Sequence, residues 1–519
     1  MVILARDLPD DIDLLKRMVM ERAEELDDAR TQIKHLTLQL AKLRRQQFGR
    51  SSEKLDAQIA QLELALDGLE VAQAERQAQR EARAASQPNP GPQPEKRKPV
   101  RKPLPADLAR ETIVHEGPCA CTNCGGKLSK IGEDTTEVLE VEKTYRVICH
   151  VRPRLSCRKC EMITQADLPD MPITRGIAGP GLLAHVLVSK YCDHLPLYRQ
   201  AQIFARDGID LDRSTLCDWV GKCSALLRPL VDELAKHVLA GPVIHGDDTP
   251  VPVLDPGRGK TKEGRLWVYV RDERPWAGQA PPGAIYYYSK DRKGEHPQAH
   301  LKSFSGTLQA DAYAGFNALY ETGRIHEAAC WAHVRRKFFD IFKADKSVIA
   351  QEALARIAEF YVVEAAIKGQ SAQARQAQRR AQSAPKLEAM KLWAEEKLER
   401  LSGKSDLAKA IRYMTTRWQS LTRFVDDGQI AIDNNPAERA MRSPALGRKN
   451  YLFVGPGDAG ERTAAIYSLI ETAKLNGLNP EHYLRDVLAR INRHSQLRLE
   501  ELLPWNWNQQ NQRQEPLAA

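Results

Sequence analysis

No run of ~18 consecutive apolar residues occurs in the chain, which excludes a membrane-spanning helix. Cysteine is sparse, at ten in 519 residues. The opening Met1-Val-Ile-Leu-Ala-Arg-Asp turns charged before the apolar core of an export signal builds up. Thiols in such a chain are expected in a reducing cytosol, where paired cysteines read as metal ligands before disulfides. A disulfide-stapled secreted scaffold, a membrane protein and a collagen-like fibre are excluded. Charge of one sign is not in large excess either. Lys and Arg number 77 against 68 Asp and Glu, a net +9 that permits a polyanionic partner without demanding one. What is present is ordinary for a folded chain, with 42% hydrophobic and 28% charged residues. At about 150 residues per domain the length suggests three or four domains.

The first 85 residues read as helical. Ile12, Leu15, Val19, Leu26, Ala29, Ile33, Leu36, Leu40 and Leu43 step by threes and fours, a heptad seam with charges between its members. A shorter stretch, Ile59, Leu62, Leu66 and Leu69, repeats it after Gly49-Arg-Ser-Ser52. The seam suits a hairpin packing on itself as well as a coiled-coil dimer. Residues 86–107 form a Pro-rich linker, extended because Pro removes helix and sheet options. Five of its seven residues from Lys96 to Lys102 are basic. Lys96, Arg97, Lys98, Arg101 and Lys102 are either a solvated spacer or phosphate contacts.

Residues 108–172 hold two C-x2-C pairs, Cys121/Cys124 and Cys157/Cys160, separated by 32 residues. Four thiolates so spaced can bind one Zn²⁺ tetrahedrally at about 2.3 Å, and Gly125-Gly126 permit the tight turn of a knuckle. The alternation in Val138-Leu-Glu-Val-Glu and in Arg146-Val-Ile-Cys-His-Val-Arg predicts strands, hence a zinc ribbon. Cys119 and Cys149 lie close enough to compete as ligands, whereas Cys192, Cys217, Cys223 and Cys330 read as small buried residues. Residues 173–240 predict a helix, a Gly208 turn and a second helix, a helix-turn-helix layout. Arg213, Ser214 and Thr215 stand where the second helix would meet DNA bases, although such hairpins are also common packing units.

From Gly241 the pattern becomes β-rich. Within Gly241-Pro-Val-Ile-His-Gly-Asp-Asp-Thr-Pro-Val-Pro-Val-Leu an apolar strand is expected to end in the paired acids Asp247-Asp248, and further strands are expected at Leu266–Arg271 and Ala284–Ser289. A short helix then leads to strands before Asp311 and from Ile325, and the whole makes a mixed α/β sheet. Residues 343–426 read as long helices, after which Asp433-Asn-Asn-Pro-Ala-Glu438-Arg opens another. Asn434 or Asn435 is its expected cap, and Glu438, Arg439 and Arg442 fall on its first turns. Residues 476–519 are expected to be a helical segment and a polar tail.

Asp247, Asp311 and Glu438 thus sit at the ends of elements that can share a pocket. Hard oxygen ligands of this kind suit two Mg²⁺ (or Mn²⁺) ions, which about 3.5–4 Å apart stabilise both the attacking and leaving oxygens of a phosphodiester displacement. Asp248 competes with Asp247, because successive strand side chains point to opposite faces. His333 and Arg336, one helical turn apart, are either phosphate contacts or a surface pair.

Several phrases, in order along nearly the whole chain, resemble the transposases of the insertion-sequence 66 family, bacterial Asp-Asp-Glu enzymes. They are Arg44-Arg-Gln-Gln-Phe-Gly-Arg-Ser-Ser-Glu-Lys-Leu, Cys121-x2-Cys124-Gly-Gly, His194-Leu-Pro-Leu-Tyr-Arg and Asp247-Asp-Thr-Pro-Val. Then follow Asp311-Ala-Tyr, Cys330-Trp-Ala-His333-Val-Arg-Arg336-Lys-Phe, Asp433-Asn-Asn-Pro-Ala-Glu438-Arg, Gly447-Arg-Lys-Asn-Tyr-Leu-Phe and Ser468-Leu-Ile-Glu-Thr-Ala-Lys-Leu-Asn-Gly. The family often has Glu after its first acid, where this chain has Asp248. The resemblance implies a multidomain α/β protein: a coiled coil, a zinc ribbon, a helix-turn-helix region and a ribonuclease-H-like core over 241–475 with an all-helical insertion. It implies that Asp247, Asp311 and Glu438 are the catalytic triad. Lys96, Arg97, Lys98, Arg101, Lys102, Arg213, Ser214, Thr215, His333, Arg336, Arg439 and Arg442 are the candidate DNA contacts. The implied partners are double-stranded DNA (element ends and target), further copies of the chain and accessory transposition proteins, in the bacterial cytoplasm at the nucleoid. The rival reading is a zinc-containing DNA-binding protein whose core has lost activity; it requires a broken triad, and the triad is intact.

Overall fold

The computed structural model describes residues 144–156, 163–165, 169–174, 176–255, 261–311, 313–451, 454–455 and 457–507. The chain divides after Arg146, and the unit from Val147 onward holds every element named below. The heptad helices, the basic linker and Cys121, Cys124, Cys157 and Cys160 lie outside the described residues. Strands β1 (Arg154–Ser156) and β2 (Ile163–Gln165) pair antiparallel on either side of the segment carrying Cys157 and Cys160. The expected strand over 146–152 does not form. Its alternation buries no face, with Val147 91% and Val151 83% exposed, and alternation without burial gives a strand no side to keep dry.

Helices α1 (Pro180–Tyr191), α2 (Leu197–Arg206) and α3 (Arg213–Leu239) follow. Pro180 and Pro196 sit where a missing N–H costs nothing, and Gly208 takes a φ of 78° in the turn between α2 and α3. The buried stripe of α3 runs through Leu216, Trp219, Val220, Cys223, Leu227, Leu230, Leu234 and Val238. Cys217 lies off that stripe and is exposed, and Cys192 is half-buried, so only Cys223 and Cys330 of the four are core thiols.

The centre is one mixed sheet of β3 (Val243–Val253), β4 (Lys262–Arg271), β5 (Gly283–Ser289), β6 (Gly306–Gln309) and β7 (Ile325–Ala328), ordered β5-β4-β3-β6-β7. β3, β4 and β5 are antiparallel, while β6 and β7 run parallel to β3. Short α4 (Glu295–His300) and α5 (Asn317–Tyr320) lie in the crossovers on either side of β6. After β7 the chain enters a run of helices that opens with α6 (Trp331–Asp345). It continues through α7 (Val348–Ala366), α8 (Ala372–Gln378), α9 (Ala384–Arg400), α10 (Asp406–Thr415) and α11 (Trp418–Thr422). These helices pack around Trp331, Phe338, Phe360, Met390, Trp393 and Ile411, in a core that Val243 and Ala328 of the sheet join. Burying each such side chain contributes about 1.5–3 kcal/mol.

The chain returns to the sheet through α12 (Asn435–Ala440), α13 (Arg442–Asn450), α14 (Ala459–Leu475) and α15 (Pro480–Arg490). α14 is buried along almost its whole length and lies along β5, and α15 packs on α1. Residues of α1–α3, the sheet, α14, α15 and the segment to Trp507 form one hydrophobic core. The segments 173–240 and 476–507 therefore have no core separate from the sheet.

Candidate active site

The parallel register sets the site. His245 on β3 lies opposite Gln309 on β6, and Gln309 lies opposite Ala328 on β7. Two residues further along each chain come Asp247, Asp311 and Cys330. Asp247 on β3 and Asp311, two residues beyond the end of β6, are thereby brought close enough that the Asp311 charge acts on the Asp247 carboxyl. Asp247 is not at a strand end as expected, since β3 continues to Val253. β4 continues as its antiparallel partner, whereas β6 stops at Gln309. Asp247 thus lies where the central strand loses its parallel neighbour.

The third acid arrives from the far side of the insertion. Gln309 holds the returning segment by exchanging hydrogen bonds with Ala431 (Nε2 to the carbonyl at 2.7 Å, Oε1 from the amide at 3.2 Å). Trp331 N–H donates to the Ile432 carbonyl at 3.1 Å. Asn434, expected as a helix cap, makes no side-chain cap bond. Its Nδ2 instead donates to the Gly246 carbonyl at 2.8 Å, and its Oδ1 lies 3.2 Å from His245 Nδ1. α12 therefore starts against β3 at the residue before Asp247, with Glu438 on its first turn.

The electrostatics follow. Burial pushes the Asp247 carboxyl well above the usual carboxylate range, and the nearby charges of Asp311, Asp248 and Glu438 push it further, against one bond from the Asp248 N–H at 2.8 Å. Glu438 Oε1 is buried without a hydrogen-bond partner, and His333 Nε2 stands 3.9 Å from it. Burial lowers the His333 pKa against the pull of Glu438. Cys330, His333 and Glu438 offer ligand atoms all within 4.8 Å of one another. Cys330 is a neutral thiol, pushed up to about 12 by burial, and its Sγ accepts the Asn434 N–H at 3.2 Å.

Asp248 is engaged elsewhere. Its side chain is 1% exposed and accepts from Arg265 Nη1 at 3.1 Å and from Arg292 Nε and Nη2 at 3.1 and 2.8 Å. Arg265, Arg292 and Asn434 are the site residues that sequence reasoning missed. Neither arginine lies in a periodic pattern that would mark it, while Asn434 was visible only as a cap candidate. Of the expected DNA contacts, His333 joins the acid cluster and the half-buried Arg336 adjoins it. Arg439 is exposed in the last turn of α12 and Arg442 at the start of α13. Arg213 and Ser214 are exposed on the first turn of α3, with Thr215 half-buried, and no described interaction links them to the acids. Lys96, Arg97, Lys98, Arg101 and Lys102 lie outside the described residues.

Four family models match the chain in sequence order. "Transposase C of IS166 homeodomain" covers residues 35–113 and "zinc-finger binding domain of transposase IS66" covers 118–161. "Transposase IS66 family" covers 175–462 and "IS66 C-terminal element" covers 468–505. The domain set is that of a transposase acting on DNA, with a zinc finger ahead of a DDE-type domain. The chain belongs to the IS66 family of transposases. Relatives in Sinorhizobium fredii carry the names uncharacterized protein y4hP, y4jD and y4qI. y4hP is 43% identical over 502 residues, 93% of this chain and 90% of the relative. y4jD is 43% identical over 415 residues, 78% and 81% of the two chains. y4qI is 36% identical over 542 residues, 98% and 99% of the two chains. No helix among the described residues is long and apolar enough to cross a membrane.

Proposed function

We propose that the chain is an Asp-Asp-Glu transposase with a ribonuclease-H-like core, which cuts DNA at the ends of its own element and joins those ends to target DNA. The observation that carries this reading is the convergence of Asp247, Asp311 and Glu438, with the Asp247 carboxyl pushed up by burial and then by its acidic neighbours, and Glu438 Oε1 left without a hydrogen-bond partner. Carboxylates that repel one another in a partly buried pocket fit divalent cations, and hard oxygen donors favour Mg²⁺ or Mn²⁺. Asp247 and Asp311 would hold such ions from the sheet and Glu438 from α12. Two bound ions would supply charge stabilisation to the entering and leaving oxygens of an in-line displacement. The strand order, three antiparallel strands extended by two parallel ones, supports the ribonuclease-H-like assignment.

The chemistry asks little covalent work of the protein. In the first displacement a water oxygen bonds to phosphorus as the bond to the 3′ oxygen breaks, leaving a 3′ hydroxyl. In the second that hydroxyl bonds to a target phosphate and displaces the neighbouring 3′ oxygen. The chain's residues position the reacting groups and exclude alternatives. His333 would act on Glu438 through its charge from 3.9 Å, and Arg336, Arg439 and Arg442 would contact the flanking DNA backbone. Cys121, Cys124, Cys157 and Cys160 hold one structural Zn²⁺, which the zinc-finger match over 118–161 supports.

The test is Mg²⁺-dependent cleavage of DNA carrying the element's ends by the full chain. Asp247→Asn and Asp311→Asn each keep DNA binding and lose cleavage by at least ~100-fold. Cleavage by either variant near the unaltered rate sinks the triad assignment.

A further inference from the structure

Asp248 is a buried carboxylate with two cations on it. Arg265 shares itself with Glu263, at 2.8 Å, whose side chain is 64% exposed. Arg292 is held on two sides. Its Nε and Nη2 donate to Asp248 Oδ1, and its guanidinium lies 4.1 Å above the Tyr313 ring. The Tyr313 hydroxyl donates to the Arg292 backbone carbonyl. The remaining face is open: the side chain is 38% exposed, and Nη2 stands 3.9 Å from Asp311 Oδ2. That separation is too long for a hydrogen bond.

An unrestrained arginine beside Asp311 would pair with it and take the oxygens a metal needs. Asp248 prevents this by occupying two of the fork's donors. The guanidinium is left beside the acid cluster without quenching it. A phosphate bound by ions on Asp247 and Asp311 would lie within about 5 Å of Asp311, since each oxygen–metal step is about 2.1 Å. Arg292 is within reach of such a phosphate.

We propose that Arg292 binds a non-bridging oxygen of the scissile or adjacent DNA phosphate, with Asp248 and Tyr313 as the positioning residues that aim its guanidinium. This rests on the Asp-Asp-Glu reading above. It also gives Asp248 a task distinct from that of Asp247: it holds an arginine rather than a metal.

The experiment uses the full chain and end DNA carrying single neutral methylphosphonates at the scissile phosphate's neighbours. Arg292→Ala slows single-turnover cleavage on the order of 100-fold, as loss of one preorganised donor does. At one position the methylphosphonate slows the unaltered protein and slows Arg292→Ala no further. With Ca²⁺ replacing Mg²⁺ to keep the DNA intact, the slope of log affinity against log salt falls by about one in Arg292→Ala. Asp248→Asn raises the Mg²⁺ concentration for half-maximal cleavage, and adding Arg292→Ala reverses that rise. If Arg292→Ala does not fold, Arg292→Lys carries the same cycle, because it keeps the charge and loses the fork. An unchanged salt slope, with every methylphosphonate penalty retained in the variant, overturns the proposal. An inactive Asp311→Asn beside a fully active Arg292→Ala removes this inference alone. A fully active Asp311→Asn removes the reading of the site and this inference with it.

Discussion

Asn434 Nδ2 donates to the Gly246 carbonyl at 2.8 Å, which fastens the start of the Glu438 helix to the strand residue preceding Asp247. This 1%-exposed amide adds to the Gln309–Ala431 and Trp331–Ile432 bonds in holding together acids separated by 191 positions in the chain. Asn434→Ala should cost about 1–3 kcal/mol, because it leaves a buried carbonyl unsatisfied. It should also reduce cleavage by releasing Glu438. Urea midpoints and cleavage rates check both effects. Asn434→Asp, which keeps the shape and loses the Nδ2 donor, should resemble Ala in activity.

His245 sets an acid limit on stability. Burial lowers its pKa from the ordinary 6.5 to about 4, against the bond to Asn434. The folded state therefore binds its proton less readily than the unfolded chain. The contribution is complete above 6.5 and is lost as the pH falls from there to about 4. The loss should approach ~2 kcal/mol by pH 5, read as a fall in denaturant midpoint between pH 7.5 and 5. His245→Gln removes the titration, so its midpoint should fall less over the same range. An equal fall in the variant assigns the effect to other groups, of which the buried His300, lowered to about 3, is the first to examine.

The insertion is stapled by charge inside its core. Arg379 is fully buried and grips Glu364 bidentately at 2.7 Å, while its Nη1 donates to the carbonyls of Phe424 and Asp427. Arg375 adds a third contact to Glu364 at 3.5 Å. Glu364→Gln strands these cations and should cost about 3–5 kcal/mol. Replacing Glu364 and Arg379 together with Met should recover most of that loss in thermal unfolding. If the single variant melts with the unaltered protein, the pair is not a structural anchor.

Protein purified without chelator should contain one zinc per chain by elemental analysis, lost in Cys121→Ser. Cys149, an exposed free thiol, should be dispensable. Zinc retained in Cys121→Ser would point to Cys119 as the substituting ligand. Chelation should weaken end binding, because binding free energy at such a site is also folding free energy.

β4 and β5 are legible as β-branched and aromatic runs, and Asp247 and Asp311 stand out in the sequence as acids directly after short strand-like segments, although β3 runs on past Asp247. Glu438 was legible through the Asn-Pro opening of its helix. Asp248 was not, since its partners Arg265 and Arg292 lie 17 and 44 residues away and only the sheet brings them together. Residue type alone favours burial of Cys217, but its place off the buried stripe of α3 exposes it. The core shared across residue 240 is not visible in the sequence for a similar reason. Periodicity marks Leu227, Leu230, Leu234 and Val238 as apolar, but it does not say whether their partners come from a neighbouring helix or from a sheet 40 residues onward.

α14 also closes an open edge. Ser468 Oγ accepts the Tyr286 N–H at 2.9 Å, Thr472 Oγ1 accepts from and donates to Ala284 at 3.1 Å, and Asn476 Nδ2 reaches the Pro282 carbonyl at 2.9 Å. These are the outward backbone groups of β5, an outermost strand whose bare groups would otherwise template pairing with another chain. During synthesis that strand leaves the ribosome long before its cover. A chain cut short before Ala459 would lose the seal while keeping Asp247, Asp311 and Glu438, and its bared β5 edge is expected to drive self-association.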